Sequence, residues 1–390
     1  MTLPRCLSLV LGFIGLLFIR CGGYSAPSSN YQSVAAPKLL HVTNGSSVGF
    51  YNPTSGAYGF GTAANSVFSL GGSYGSAPTM GQNPSTGNFF VGNSGCSGCN
   101  YVNYLNGVRG GYAIGTSITT SRIPLQSGGT SLGLAVSNLN NMLYVTDSIN
   151  DVVTFLSPST LFYGIRGSSV NSIFAAPLGL SPQYVAVSGT TVLVTDNVVG
   201  SVFFLNGVNG SFISPVGSNP YLPLVSGSTG CNSASLVSLV QTNVTGNIGY
   251  VLCGGTVVVL NLNGNPNYMN GNLVGSTFGA SGITVGTDLV YDSTDNVIVV
   301  VGGSTVTSLL SPGGAVAHTV DLTTYGCGTG ITINSVAYSA ARNQIYVADS
   351  ANSTIYILNS SNLTLSTGLC TTSTFSTFMD VPTPTRMSFF

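Results

Sequence analysis

The chain has 390 residues but only eight basic and nine acidic side chains, with one Lys, no Glu and no Trp. Charged residues are 4% of it, against roughly 25% in an average protein, which sets aside nucleic acid as a partner because phosphate binding needs clustered cations. Length alone would allow two or three domains, but a phrase recurring through residues 38–360 predicts one closed repeat domain over 38–390.

Residues 1–26 read as an export leader: Arg5 supplies the positive end, and Cys6 to Ile19 form an apolar stretch too short to span a bilayer. Cys21-Gly22-Gly23 follows, then a polar tether from Tyr24 to Asn30, with residues 27–37 as linker. The arrangement resembles a bacterial lipoprotein leader, in which the Cys after the lipobox becomes the lipid-modified first residue. That resemblance implies lipidation at Cys21, with the membrane touched only through the anchor. Phe18, Ile19 and Arg20 stand where the lipobox has Leu, a small or aliphatic residue, and Gly or Ala. Plain secretion, with cleavage after Gly23 or Ser25, is the alternative.

From residue 38 onward, one strand phrase returns about every 50 residues: LLHVTN at 39–44, NFFVGN at 88–93, MLYVTD at 142–147, TVLVTD at 191–196, IGYVLC at 248–253, VIVVVG at 297–302 and QIYVAD at 344–349. Around it lie short runs of alternating polarity. Residues 133–137, 142–146 and 152–156 form one such set, joined by Asn-, Asp- and Ser-rich turns, the signature of hairpins. A fourth, more variable run closes each unit as an outer strand. Short antiparallel strands repeated without helices predict an all-β fold, a seven-bladed β-propeller of four-stranded blades. YVTDSINDVVTFL and YVADSANSTIYIL resemble the YVTN and NHL repeat families, which implies the same fold and leaves activity open. The first repeat lacks an innermost strand, and Pro384–Phe390 is predicted to supply it, closing the ring by joining the C-terminal strand to the N-terminal blade.

Candidate chemistry is sparse. The Asn or Asp ending the phrase (Asn44, Asn93, Asp147, Asp196, Asp349) is suited to accepting turn amides, and its repetition makes it structural, since a catalytic residue is needed once. Beyond Cys6 and Cys21 the cysteines number six: Cys96, Cys99, Cys231, Cys253, Cys327 and Cys370. An even set on an exported chain predicts disulfides, with several connectivities open. Asp288, Asp292 and Asp295 form the one acid cluster, read either as a Ca²⁺ cradle or as an Asp-rich turn, and the turn is the reading adopted. The enzymatic propeller classes rely on Glu clusters, Trp motifs or arginine triads that this chain does not present. No catalytic, cofactor or metal residue is therefore assigned. Six glycosylation sequons begin at Asn44, Asn209, Asn243, Asn352, Asn359 and Asn362.

The expectation is an exported cell-envelope propeller, lipoprotein or secreted, acting as a binding or scaffolding module for protein or carbohydrate. Two alternatives accompany it: self-association into an extracellular layer or fibre, and a metal-dependent hydrolase or lyase working on the propeller axis.

Overall fold

Each copy of the phrase folds as a strand with both faces covered, which is why it reads as a near-continuous apolar run rather than a strict alternation. In Val297–Gly302 the odd positions Val297, Val299 and Val301 pack against the following blade, and the even positions Ile298 and Val300 against the preceding one. The computed structural model describes residues 39–389 except 63–65, 72–78, 84–85, 93–100, 115–116, 126–132, 158–161, 164–172, 178, 197, 216–220, 225–239, 243–246, 328, 367–373 and 377–382, with 162–163, 240–242 and 374–376 described as backbone only. Residues Ala36–Phe390 make one compact unit.

Blade 1 contains β1 (Leu40–Thr43), β2 (Ser47–Tyr51) and β3 (Val67–Ser69). Blade 2 runs through β4 (Met80–Gln82), β5 (Asn88–Val91), β6 (Tyr101–Asn106) and β7 (Arg122–Pro124). Blade 3 is β8 (Leu134–Val136), β9 (Leu143–Asp147) and β10 (Val152–Ser157), its outer edge split between β11 (Phe162–Tyr163) and β12 (Ile173–Ala175). Blade 4 is β13 (Pro182–Ser188), β14 (Thr191–Asp196), β15 (Ser201–Asn206) and β16 (Tyr221–Pro223). Blade 5 is β17 (Val240–Thr242), β18 (Ile248–Cys253) and β19 (Thr256–Asn261), again with a split edge, β20 (Asn267–Tyr268) and β21 (Thr277–Gly279). Blade 6 is β22 (Asp288–Asp292), β23 (Val297–Gly302), β24 (Thr305–Leu310) and β25 (Val316–Asp321). Blade 7 is β26 (Ile333–Ser339), β27 (Gln344–Asp349), β28 (Thr354–Asn359) and β29 (Thr374–Ser376).

The last strand, β30 (Arg386–Phe389), returns to blade 1 and pairs antiparallel with β1, giving the order β3-β2-β1-β30. Arg386 lies opposite Thr43 and Phe389 opposite Leu40. The missing innermost strand of the first repeat is thus supplied by the C-terminus. Physically this covers the inner edge of β1, which would otherwise offer free N–H and C=O groups for pairing with another chain.

The core sits between consecutive blades. Among the described residues, seven apolar clusters fill the seven interfaces, the last joining blade 7 to blade 1 through Tyr346, Ala348, Leu40 and Met387. Polar staples add direction. The Tyr144 hydroxyl donates to the Gly207 carbonyl of the next blade at 2.9 Å, and that of Tyr346 donates to Pro53 at 3.1 Å across the ring closure. The Tyr250 and Ser311 hydroxyls share a hydrogen bond between blades 5 and 6. Burial pushes the Tyr250 and Tyr346 hydroxyls up to about 12, so both stay protonated.

His41 is buried beside the closing strand. Its ring stacks on Phe89 with centroids 4.5 Å apart, and Nδ1 lies 3.3 Å from the Ser388 carbonyl. A carbonyl only accepts, so Nδ1 carries the proton there. Burial, partly offset by that hydrogen bond, lowers the pKa to about 3 from the ordinary 6.5. The sign follows: between these values the unfolded chain binds a proton that the folded chain refuses, so stability present above pH 6.5 is lost as pH falls toward 3. The loss is on the order of 4 kcal/mol over that range. His41→Phe should flatten the dependence of melting temperature on pH between 6.5 and 4; an unaltered slope would show that His41 does not carry it.

Candidate functional site

All blades alternate strand direction, so the turns between second and third strands share one face with the loops that lead into each innermost strand. That face is built on the residues ending the repeated phrase. Asn44 Oδ1 accepts from the amides of Ser46 and Ser47 at 3.0 and 2.9 Å. Asp147 accepts from the amides of Ile149 and Asn150 and from the Asn150 side chain. Asp196 takes Val198 and Val199 in its own turn and also Ser181 in the incoming loop, the last at 2.7 Å. Asp349 gathers Thr332, Ala351 and Asn352 amides, the Asn352 side chain and the Tyr356 hydroxyl. Each carboxylate therefore ties a turn, and in blades 4 and 7 a second loop, to the end of a buried strand. Where the phrase ends in Cys253 and Gly302, the turn instead uses Gly254 and Gly303 at φ 59 and 59, a left-handed geometry that glycine adopts freely. Asn93 lies outside the described residues.

These anchored turns present apolar side chains to solvent. Ile149 of blade 3 is 59% exposed, and Val198 and Val199 of the adjoining blade 4 are 59% and 44% exposed. The turns cannot turn these side chains inward without breaking their hydrogen bonds to Asp147 and Asp196.

A second feature lies on the axis. A cavity of about 330 Å³ is lined by innermost strands, with Asp288 and Tyr291 of blade 6, Tyr338 of blade 7, Tyr184 of blade 4 and Arg386 of blade 1 among its walls. Asp288 is buried, and Arg386 Nη2 lies 3.2 Å from its Oδ1. The same carboxylate accepts from Leu289 N at 2.9 Å, Ser335 Oγ at 2.6 Å and Val336 N at 3.0 Å. Ser335 Oγ in turn accepts from Met387 N at 2.9 Å. One polar chain thus links blades 6, 7 and 1 where the ring closes.

Asp292 shares a strand face with Asp288 but sits four positions away, roughly 13 Å along the strand. Its carboxylate holds the amides of Thr294 and Asp295 and the Ser360 hydroxyl. The two acids serve opposite ends of β22, so the structure does not gather them around a shared point. Among the described residues no group of three or more His, Cys, Asp or Glu side chains converges for a metal ion. Cys253 and Cys327 are disulfide-bonded; Cys21, Cys96, Cys99, Cys231 and Cys370 lie outside the described residues.

Nothing in the sequence alone singles out Arg386, Tyr184, Ile149, Val198 or Val199. Arg386 and Asp288 each open an innermost strand, and these strands line the axis. That is the signal that would have paired them.

The class is therefore a seven-bladed β-propeller, closed by its own C-terminal strand. No family model and no curated protein matches the chain. Solved structures do. A functionally unknown protein from Desulfotomaculum acetoxidans aligns at a TM-score of 0.59 and 11% identity, over 90% of this chain and 98% of that one. AztD from Citrobacter koseri aligns at 0.57 and 12%, over 90% and 97%. The β-propeller domain of Cps50 (Swd1) from Myceliophteria thermophila aligns at 0.52 and 10%, over 75% and 85%. At such identities the likeness is one of fold.

Proposed function

We propose that this chain is an exported envelope propeller that binds or scaffolds a partner and catalyses no reaction. The observation that carries the reading is the pair of anchored turns in blades 3 and 4, which hold Ile149, Val198 and Val199 exposed on one face. Exposed apolar side chains on a rigid frame lower the ordering cost of binding, and the patch suits a protein partner better than a carbohydrate. Export is supported by the lipoprotein-like leader with Cys21 and by the disulfide-bonded Cys253 and Cys327. Asp288 acts as a structural counter-ion in this reading, not as an axial acid.

Self-assembly is a second reading, favoured by one edge. The outer strands other than β25 that the structure describes have two or three residues. β25 has six, with Val316, His318 and Thr319 exposed, a length able to template strand pairing.

Photo-crosslinking residues placed at 149 and 198 in cells that export the protein test the partner reading. Leu139, 66% exposed on the opposite face, serves as control. Partner binding predicts adducts to a different protein at 149 and 198 and not at 139. Adducts of twice the chain mass would favour assembly, and equal labelling at all three positions would contradict the binding reading.

A further inference from the structure

The axial ion pair is unequal. Asp288 has two backbone amides and the Ser335 hydroxyl in addition to Arg386, so its charge is satisfied even without the guanidinium. Arg386 has five N–H donors to place, and Asp288 is the one side chain it is paired with among the described residues. A guanidinium that merely neutralised Asp288 would be redundant. Placed at a cavity wall and held by a fixed carboxylate, it is instead an oriented fork with donors to spare.

We infer that the axial cavity is a binding site for a small organic carboxylate, received by Arg386. The planar fork matches a carboxylate with two parallel hydrogen bonds, geometry that an ammonium does not offer. Met80, Met387 and Phe389 line the same cavity and give an apolar wall for the rest of the ligand. Tyr184 projects from blade 4, across the ring from blade 1, and its hydroxyl has no partner among the described residues. The Tyr291 and Tyr338 hydroxyls are committed to Asn296 and Thr294. Tyr184 and Ser388, whose buried hydroxyl also has no partner among the described residues, are therefore the polar contacts left to a ligand. At about 330 Å³ the cavity lies at the small end of ligand sites, which favours a metabolite-sized acid over a peptide. The site uses none of Ile149, Val198 or Val199, so it stands or falls apart from the partner reading.

The test is ligand-observed NMR and calorimetry on the full propeller with acetate, succinate and 3-phenylpropionate, each beside its amide. At least one acid should bind more tightly than its amide. Arg386→Gln should weaken that acid about tenfold and leave the amide unchanged, and Tyr184→Phe should weaken it severalfold. Because Arg386 also lies in the closing strand, Arg386→Lys is measured alongside: it keeps the charge and removes the fork, and should still weaken the acid severalfold. The inference is overturned if no acid outbinds its amide, or if the acid binds Arg386→Lys as tightly as the parent protein.

Discussion

Deleting residues 384–390 should lower stability by on the order of 5 kcal/mol or more. The deletion removes the partner of β1, exposing a strand whose four residues are all buried. It takes away Met387, which packs with Leu40, Ala337 and Tyr346 in the last interface of the ring. It also removes the Thr385 amide from the Thr43 carbonyl and Met387 N from Ser335. For a chain of this size the melting temperature should fall by roughly 10 °C, with aggregation following because the inner edge of β1 is now open. An unchanged melting temperature would mean that β30 is an ornament on a ring that closes without it.

Asp349→Ala should be the most damaging single substitution among the turn residues, costing about 3–5 kcal/mol by denaturant unfolding. The side chain is fully buried, and alanine would strand three backbone amides and the Asn352 side chain at once and leave the Tyr356 hydroxyl only the Cys327 carbonyl. Asp349→Asn keeps the oxygen that takes the three amides but sets an N–H₂ group against the Asn352 amide, so an intermediate loss is expected. Asn44→Ala provides the scale. Asn44 is only half-buried and holds two amides, and about 1 kcal/mol is expected there. Equal losses at Asp349 and Asn44 would show that the turn carboxylates do not tie the loops together as the hydrogen bonds imply.

Much of this fold is legible in the residues. VIVVVG and its relatives stand out because a strand between two neighbouring blades is apolar on both faces, and seven such runs imply seven blades. The turn residues are legible for the same reason of repetition, since Asp147, Asp196 and Asp349 solve one geometric problem three times. The closing strand could be inferred from a deficit, an innermost strand missing before Leu40. The outer edges are less readable. β11 and β12, or β20 and β21, are too short to carry a pattern, and they split one edge between two segments.

The axis is harder still. Asp288 and Arg386 belong to blades 6 and 1, and only ring closure brings them within 3.2 Å. Nothing local to either residue marks it, and Asp288 instead drew attention as a neighbour of Asp292, with which it shares no contact point. Ile149 and Val198 were likewise hidden: in a strand-rich sequence an apolar residue beside a turn reads as the end of a strand. The hydrogen bonds that fix the turn decide that it points outward.

The most direct test of the closed ring is native-state amide exchange of β1. Paired by β2 on one side and β30 on the other, the amides of Leu40–Thr43 should fall in the slowest class and exchange only with global opening. If those facing β30 exchange as fast as amides on the outer strands β3 and β7, the ring is open at this seam and the account of its closure is wrong.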